Sequence, residues 1–283
     1  MGVGLLVPML SGSASLAESP QSVRFEGRGS VELARKLLAR AIAIRYDCDS
    51  RTLIDLRMRD GRGGERHRRI RTITKHLHGR MHSIGRLIAP EHLRGMTLLS
   101  IEARDRRDDV FVYLPSLGRV RRVSMSRRAD SFLGSDLTYQ DFDRHRAEDY
   151  RIESLAREVV EREPVHVITT RPKDFESYQR VAFVAAVSDL AILELRYYKA
   201  GDAQPSRLVR FPRASIHRSE GNLIPTRIHV ANTLRGSETD VEISELEVNP
   251  EIDDRLFSIV TLRAQRELTT VGDARERTRP NTP

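Results

Sequence analysis

The sequence predicts a mainly β protein built on one large, strongly curved antiparallel sheet, with one or two helices. Three observations carry this. Apolar residues recur with a period of two in about a dozen short segments bounded by turn residues. One long segment, 30–46, has the helical period instead. No strand alternates with helices as in a βαβ unit, which argues against doubly wound nucleotide-binding folds.

Taken in chain order, the first element is a leader. Gly4 to Leu10 (GLLVPML) is a short apolar run, followed by small polar residues from Ser11 to Ala17. Ser15-Leu16-Ala17 satisfies the small-x-small cleavage rule, so residues 1–17 read as a signal-like segment without its basic front, and Glu18 as the first mature residue. A single domain over 18–270 follows, opening with an exposed lead-in. Ser30 stands where an N-cap belongs, with Glu32 in the first turn at the positive end of the helix. Ala34, Leu37, Leu38, Ala41 and Ile42 then fall on one stripe, with Arg35, Lys36 and Arg40 away from it.

After Asp49 the period changes. Ile54, Leu56 and Met58 alternate with Asp55, Arg57 and Arg59, and Asp60-Gly61-Arg62-Gly63-Gly64 makes a hairpin turn. Return strands are expected over 65–78, 81–89, 93–102 and 110–114, followed by a basic run. Further strands are expected at 150–160, 165–170, 178–186, 191–198, 207–216 and 226–231. In the last strand the apolar phase slips between Val241/Ile243 and Leu246/Val248, which a β-bulge at Ser244–Glu245 would absorb. A similar slip separates Ile70 from Ile73 and Leu77. A helical turn near Asp253-Asp254 supplies the second helix, and the polar segment 271–283 reads as a disordered tail.

Of the 48 Lys and Arg residues, 44 are arginine, scattered along the whole chain, and the net charge is +8. Such a surface attracts anions. Aromatic platforms and a recognition helix are not evident, so nucleic acid is not the expected partner. The lone Cys48 excludes an internal disulfide framework. The nucleophile elbow, the phosphate loop and the HExxH metal helix are all missing from the sequence. His76, His78 and His82 are close enough in sequence to suggest zinc, but polar residues on an exposed strand explain them better. Asp136, Asp141 and Asp143 suit an acid–base pair on paper, and capping near Thr138 accounts better for Asp136. No catalytic residue, metal or cofactor is therefore assigned.

The most unusual stretch is Asp109 to Phe142. An apolar strand, Val110 to Leu114, meets a turn at Pro115 and Gly118, and returns through Arg119, Arg121 and Arg122. A Gly-centred loop then carries Phe132 and Leu133, two large apolar side chains that must bury somewhere. The order YLP, LGRVRR, SFLGSD and TYQDF resembles the outer-membrane lipoprotein-sorting (LolA-like) family, in the broad branch associated with hydrophobe exporters. Leu87-Ile88-Ala89-Pro90, Ile224-Pro225-Thr226-Arg227-Ile228 and Asp254-Arg255-Leu256-Phe257-Ser258 extend the resemblance over about 53–262.

The resemblance implies an unclosed half-barrel over an apolar cavity. It also implies a periplasmic, monomeric, non-enzymatic carrier of lipid or lipoprotein acyl chains, working with an inner-membrane exporter of the resistance-nodulation-division type. In such a carrier Ile54, Leu56, Met58, Tyr113, Leu114 and Tyr139 would line the cavity. Phe132 and Leu133 would close its mouth, and Arg119, Arg121 and Arg122 would meet an anionic headgroup or a partner. The main alternative is an envelope module that docks through its sheet; a hydrolase ranks third.

Overall fold

The computed structural model describes residues 23–264 except 26, 46–47, 104–107, 125–126, 128, 143–144 and 174–177. The leader, its cleavage point and the tail lie outside the described residues. The chain runs β1 (Val23–Phe25), α1 (Arg28–Ala43), β2 (Ser50–Arg59), β3 (Glu65–Leu77), β4 (Arg80–Ala89), β5 (Thr97–Ile101), β6 (Asp109–Leu114) and β7 (Arg119–Arg122). It continues through β8 (Tyr150–Val160), β9 (Glu163–Pro172), β10 (Arg180–Ala186), β11 (Ile192–Tyr198) and β12 (Arg207–Arg210). The last elements are β13 (Ile216–Ser219), β14 (Asn222–Pro225), β15 (Arg227–Asn232), β16 (Ser237–Val248) and α2 (Ile259–Ala264).

Fourteen strands form one sheet in the order β1-β8-β9-β10-β11-β12-β15-β16-β2-β3-β4-β5-β6-β7, and β13–β14 make a separate hairpin. The sheet is not closed: among the described residues, β1 and β7 stand at its two ends. Two meanders are thus sewn together where β16 runs antiparallel to β2, from Glu238 beside Arg59 to Val248 beside Ser50.

α1 covers one face of the sheet, here called the inner face. Ala34, Leu38 and Ala41 are completely or almost completely buried against Leu155, Ile168, Phe183 and Leu195, with Leu37 and Ile42 half-buried beside them. The expected stripe is therefore the packed one. The helix starts earlier and ends sooner than 30–46. It is capped at Gly27, where φ is 99°, and the Ser30 hydroxyl donates back to the Gly27 carbonyl (2.7 Å) from inside the first turn.

The bulge at Ser244 is present: register shifts between Ile243 and Glu245, keeping Ile243 opposite Ile54 and Leu246 opposite Thr52 on the inner face. The second expected slip is not. β3 runs without irregularity against β2, so Ile70 and Ile73 point to opposite faces, and both are buried. Ile70 joins the inner face. Ile73, Ile84 and Leu99 lie under Leu256, Phe257 and Leu262 of the C-terminal segment, which covers the outer face at this end. The segment read as one strand over 207–216 breaks at Pro212, which cannot donate to a ladder; a 3-10 turn over Arg213–Ser215 leads into the separate hairpin.

Many arginines find places on the outer face of the central strands. Arg51 pairs with Glu247 (2.7 Å), Arg59 with Glu238 (2.9 Å) and Arg227 with Glu242 (3.2 Å) across neighbouring strands. Each exposed pair is worth about 0.2–1 kcal/mol, so this ladder specifies register more than it stabilises.

Candidate functional site

The chain between the two meanders crosses the inner face as a compact plug, residues 131–142. Its anchor is Phe132, 3% exposed, which sits among Leu56, Ile70, Leu87 and Val241. Leu133, Leu137 and Tyr139 pack around this cluster, as does Ile54. Phe132 meets the rings of Tyr139 (centroids 5.6 Å apart, 82° between planes) and Phe142 (4.7 Å, 68°) edge to face, a favoured aromatic geometry. The turn that presents Phe132 uses positive φ at Leu133 (56°) and Gly134 (79°). A side chain at Gly134 would also meet the Arg66 guanidinium at 3.2 Å, so glycine fits here on both counts.

Two carboxylates tie the plug to the sheet. Asp136 accepts from the hydroxyls of Ser237 (2.6 Å) and Thr239 (3.0 Å) on β16, and its backbone N–H donates to Thr239 (2.9 Å). Asp141 accepts two bonds from Arg207 of β12, 3.0 and 2.8 Å long. The same carboxylate accepts from the Thr138 backbone N–H (2.6 Å) and hydroxyl (3.0 Å), capping the 3-10 turn Tyr139–Phe142. Capping thus belongs to Asp141 and not to Asp136, whose oxygens hold β16; Asp143 lies outside the described residues.

The Arg207 side chain is 3% exposed. Burial alone would push its pKa down, but Asp141 and the neighbouring Tyr197 hydroxyl hold it above the ordinary arginine value, so it stays charged. Its guanidinium lies over the Tyr197 ring, 4.9 Å from the centroid. Beyond it, desolvation pushes the His145 imidazole below its usual pKa, against the pull of Asp141, and Nδ1 shares a 2.8 Å hydrogen bond with the Tyr150 hydroxyl.

The expected site residues divide into two groups. Ile54, Leu56, Phe132, Leu133 and Tyr139 come together in the plug cluster. Met58 is buried on the same face opposite Thr239, and Leu114 is half-buried at the end of β6 on that face. Tyr113 does not join them. Strand alternation turns it to the outer face, where it packs with Leu256, Phe257 and Leu262. The three arginines also fail to form one cluster. β7 is the exposed edge strand, alternation sends Arg119 and Arg121 to one face and Arg122 to the other, and Arg122 pairs with Asp109.

The three histidines close in sequence, to which no metal is assigned, are separate in the fold. His76 bonds Asp49 through Nδ1 (3.0 Å), His78 occupies the β3–β4 turn at φ 53°, and His82 stacks edge-on against Phe257. Among the described residues no three His, Cys, Asp or Glu side chains are grouped to hold a metal. Arg207 had no signal in the sequence, being one arginine among many. Thr138-x-x-Asp141 has the spacing of a capping box, the one local cue to this tie.

The apolar space expected under this end of the sheet is filled by the plug itself. Beside the plug the described residues form an open pocket of about 200 Å³ whose walls mix apolar groups such as Leu137 and Leu234 with polar and basic ones, among them Ser131, Tyr178, Lys199, Arg207 and Arg235. No described helix is long and apolar enough to cross a membrane.

The fold has known counterparts. A family model described as an uncharacterized protein matches residues 79–264, most of the chain. The chain belongs to that family. Its fold is that of solved structures described as DUF1329, lipoprotein-sorting and LolA superfamily proteins. A DUF1329 family protein from Desulfovibrio piger is 24% identical over 82% of this chain and 99% of its own, with a TM-score of 0.75. An outer membrane lipoprotein-sorting protein domain from Vibrio parahaemolyticus is 19% identical over 82% and 99%, also at 0.75. A LolA superfamily protein from Nitrosomonas europaea is 23% identical over 81% and 98%, at 0.61. Identities this low establish a shared fold. A search of curated proteins gives no match.

Proposed function

We propose that this LolA-like chain is a periplasmic, monomeric carrier. It binds the acyl chains of a lipid or lipoprotein on its inner face and passes them across the envelope in partnership with an inner-membrane exporter. The observation that carries this reading is the plug: an apolar cluster held to the sheet through side chains and polar ties, and therefore replaceable by another apolar chain. Releasing Phe132 and Leu133 costs roughly 3–5 kcal/mol of apolar burial, and a buried methylene returns about 0.8 kcal/mol, so roughly four to six methylenes offset the loss. Long acyl chains should enter and short ones should not. A lipoprotein-sorting protein shares the fold, which supports the same reading.

A reversible lock tests it. The Asp136 carboxylate and the Thr239 hydroxyl are 3.0 Å apart, so Asp136→Cys with Thr239→Cys, in a Cys48→Ala background, should form a disulfide that fastens the plug to β16. The oxidised protein is expected to bind a fluorescent long-chain fatty acid at least roughly tenfold more weakly than the reduced protein, a difference of about 1.4 kcal/mol. Equal affinities would reject the gate. A docking module with a permanent plug is the second reading, favoured by the filled inner face; it predicts no uptake in either state.

A further inference from the structure

The cavity beside the plug has a composition that acyl-chain binding does not call for. Its floor is Arg207, whose Nε–H is buried without an acceptor while the two terminal nitrogens are held by Asp141. Its rim carries Lys199, from the β11–β12 turn, and Arg235, from the β15–β16 turn. Among the described residues neither cationic head has an ion-pair partner, and both residues are exposed. Hydroxyl and amide groups of Ser206, Asn232 and Tyr178 complete the walls. The carboxylates nearby are committed: Asp136 to Ser237 and Thr239, Asp141 to Arg207. Among the lining residues three cations stand against one carboxylate, Asp136. Asp141 behind Arg207 and Asp202, which accepts the Lys199 backbone N–H (3.0 Å), lie outside the lining. The cavity wall itself is therefore positive and fitted with hydrogen-bond donors. At about 200 Å³ it has room well beyond a single water, which needs only ~10–15 Å³. Leu234, 62% exposed, stands at the mouth and offers apolar surface where a chain would leave the charged group.

We infer that this cavity binds a phosphate oxyanion, with Lys199 and Arg235 contacting it from the rim and Arg207 supplying the fixed charge below. Ammonium and guanidinium groups flanked by hydroxyls are suited to phosphate oxygens, which accept several charge-assisted bonds at once. The anion is either the phosphate of a lipid headgroup or a free phosphate. For the first source the inference rests on the carrier reading, with the headgroup seated beside the plug and its chains directed under it. The second source needs no carrier.

The experiment uses the full chain and three probes: inorganic phosphate, didecanoyl phosphatidylglycerol held below its micelle concentration, and the uncharged didecanoylglycerol, whose chains each carry more methylenes than the plug's release requires. Binding is measured by calorimetry for the native protein, for Lys199→Gln with Arg235→Gln, and for a charge-matched control, Arg35→Gln with Arg151→Gln, two exposed sites away from the cavity. The native protein and the control should bind the phospholipid roughly tenfold or more tighter than the diacylglycerol, and the Lys199/Arg235 variant should lose that preference. Circular dichroism should show all three proteins folded. Phosphate bound with the same Lys199/Arg235 dependence, and neither lipid bound, supports the anion site with a free phosphate as its source and removes the carrier. Both lipids bound equally well by the native protein overturns this inference and leaves the carrier standing. A preference that survives in the Lys199/Arg235 variant, or is lost equally in the control, overturns the site. Failure of all three probes overturns site and carrier together.

Discussion

Leu38→Asp is expected to unfold the protein or bring it close to unfolding. Leu38 is fully buried at the centre of the α1 stripe, against strands from β8 to β11. Removing a buried leucine side chain costs about 2–5 kcal/mol, and the carboxylate adds the cost of an unpaired charge or of a proton taken up to neutralise it. Against a typical total stability of about 5–15 kcal/mol, a combined loss of at least ~4 kcal/mol should be visible as a large drop in the urea midpoint. Leu33→Asp, on the exposed side of the same helix, is the control and should stay within about 0.5 kcal/mol of the native protein. If the two variants melt alike, α1 does not dock on the inner face.

Asp141→Ala should rank second. It leaves the Arg207 guanidinium buried without its counter-charge, a change that costs about 3–5 kcal/mol, and removes the cap at Thr138, worth about 1 kcal/mol. The pair does not owe its place to net stabilisation, since desolvation offsets much of the attraction between the two charges. Arg207→Met together with Asp141→Ala should therefore be more stable than Asp141→Ala alone, because no orphaned charge remains. Denaturant titration of both single variants and the double gives the coupling directly. A double variant as unstable as the sum of the singles, or an Asp141→Ala protein as stable as the native one, would mean that the tie contributes nothing to holding the plug.

Local pattern made much of this structure legible. Ile54, Leu56 and Met58 announce an inner face because alternation along a strand needs no knowledge of the partner strand. The offset between Ile243 and Leu246 is readable as a bulge for the same reason. Ile70 and Ile73 mislead because the cover over Ile73 comes from Leu256 and Phe257, far along the chain, and a strand buried on both faces mimics a slipped one buried on a single face. Tyr113 was misplaced by the same hidden cover. Phe132 and Leu133 stood out because large apolar residues in a polar loop violate the usual surface pattern. Their tie through Arg207 did not, since an ion pair is a fact of two segments and arginine is too frequent here to mark one position. Pro212 marks the break in the sequence, but apolar residues on either side of it give the segment the pattern of one continuous strand.

The seam between β16 and β2 has a consequence in time. Arg59 and Glu238 are separated by 179 residues, and Arg51 and Glu247 by 196. Closing a loop of that length costs roughly 3 kcal/mol more entropy than closing a hairpin turn, and that cost falls before the pairing can return it. Apart from β1, which pairs with β8 across the intervening half of the chain, each meander can zip along its own short connections, whereas the strand joining them is completed only when nearly the whole chain is available. Refolding should therefore show early strand formation in both halves and a slower step in which they join, with the two carboxylate ties of the plug fastened in that same step. A nascent or translocating chain would pass through a period with two unpaired strand edges, at β2 and β16, and a helper that shields such edges would be most useful to it then.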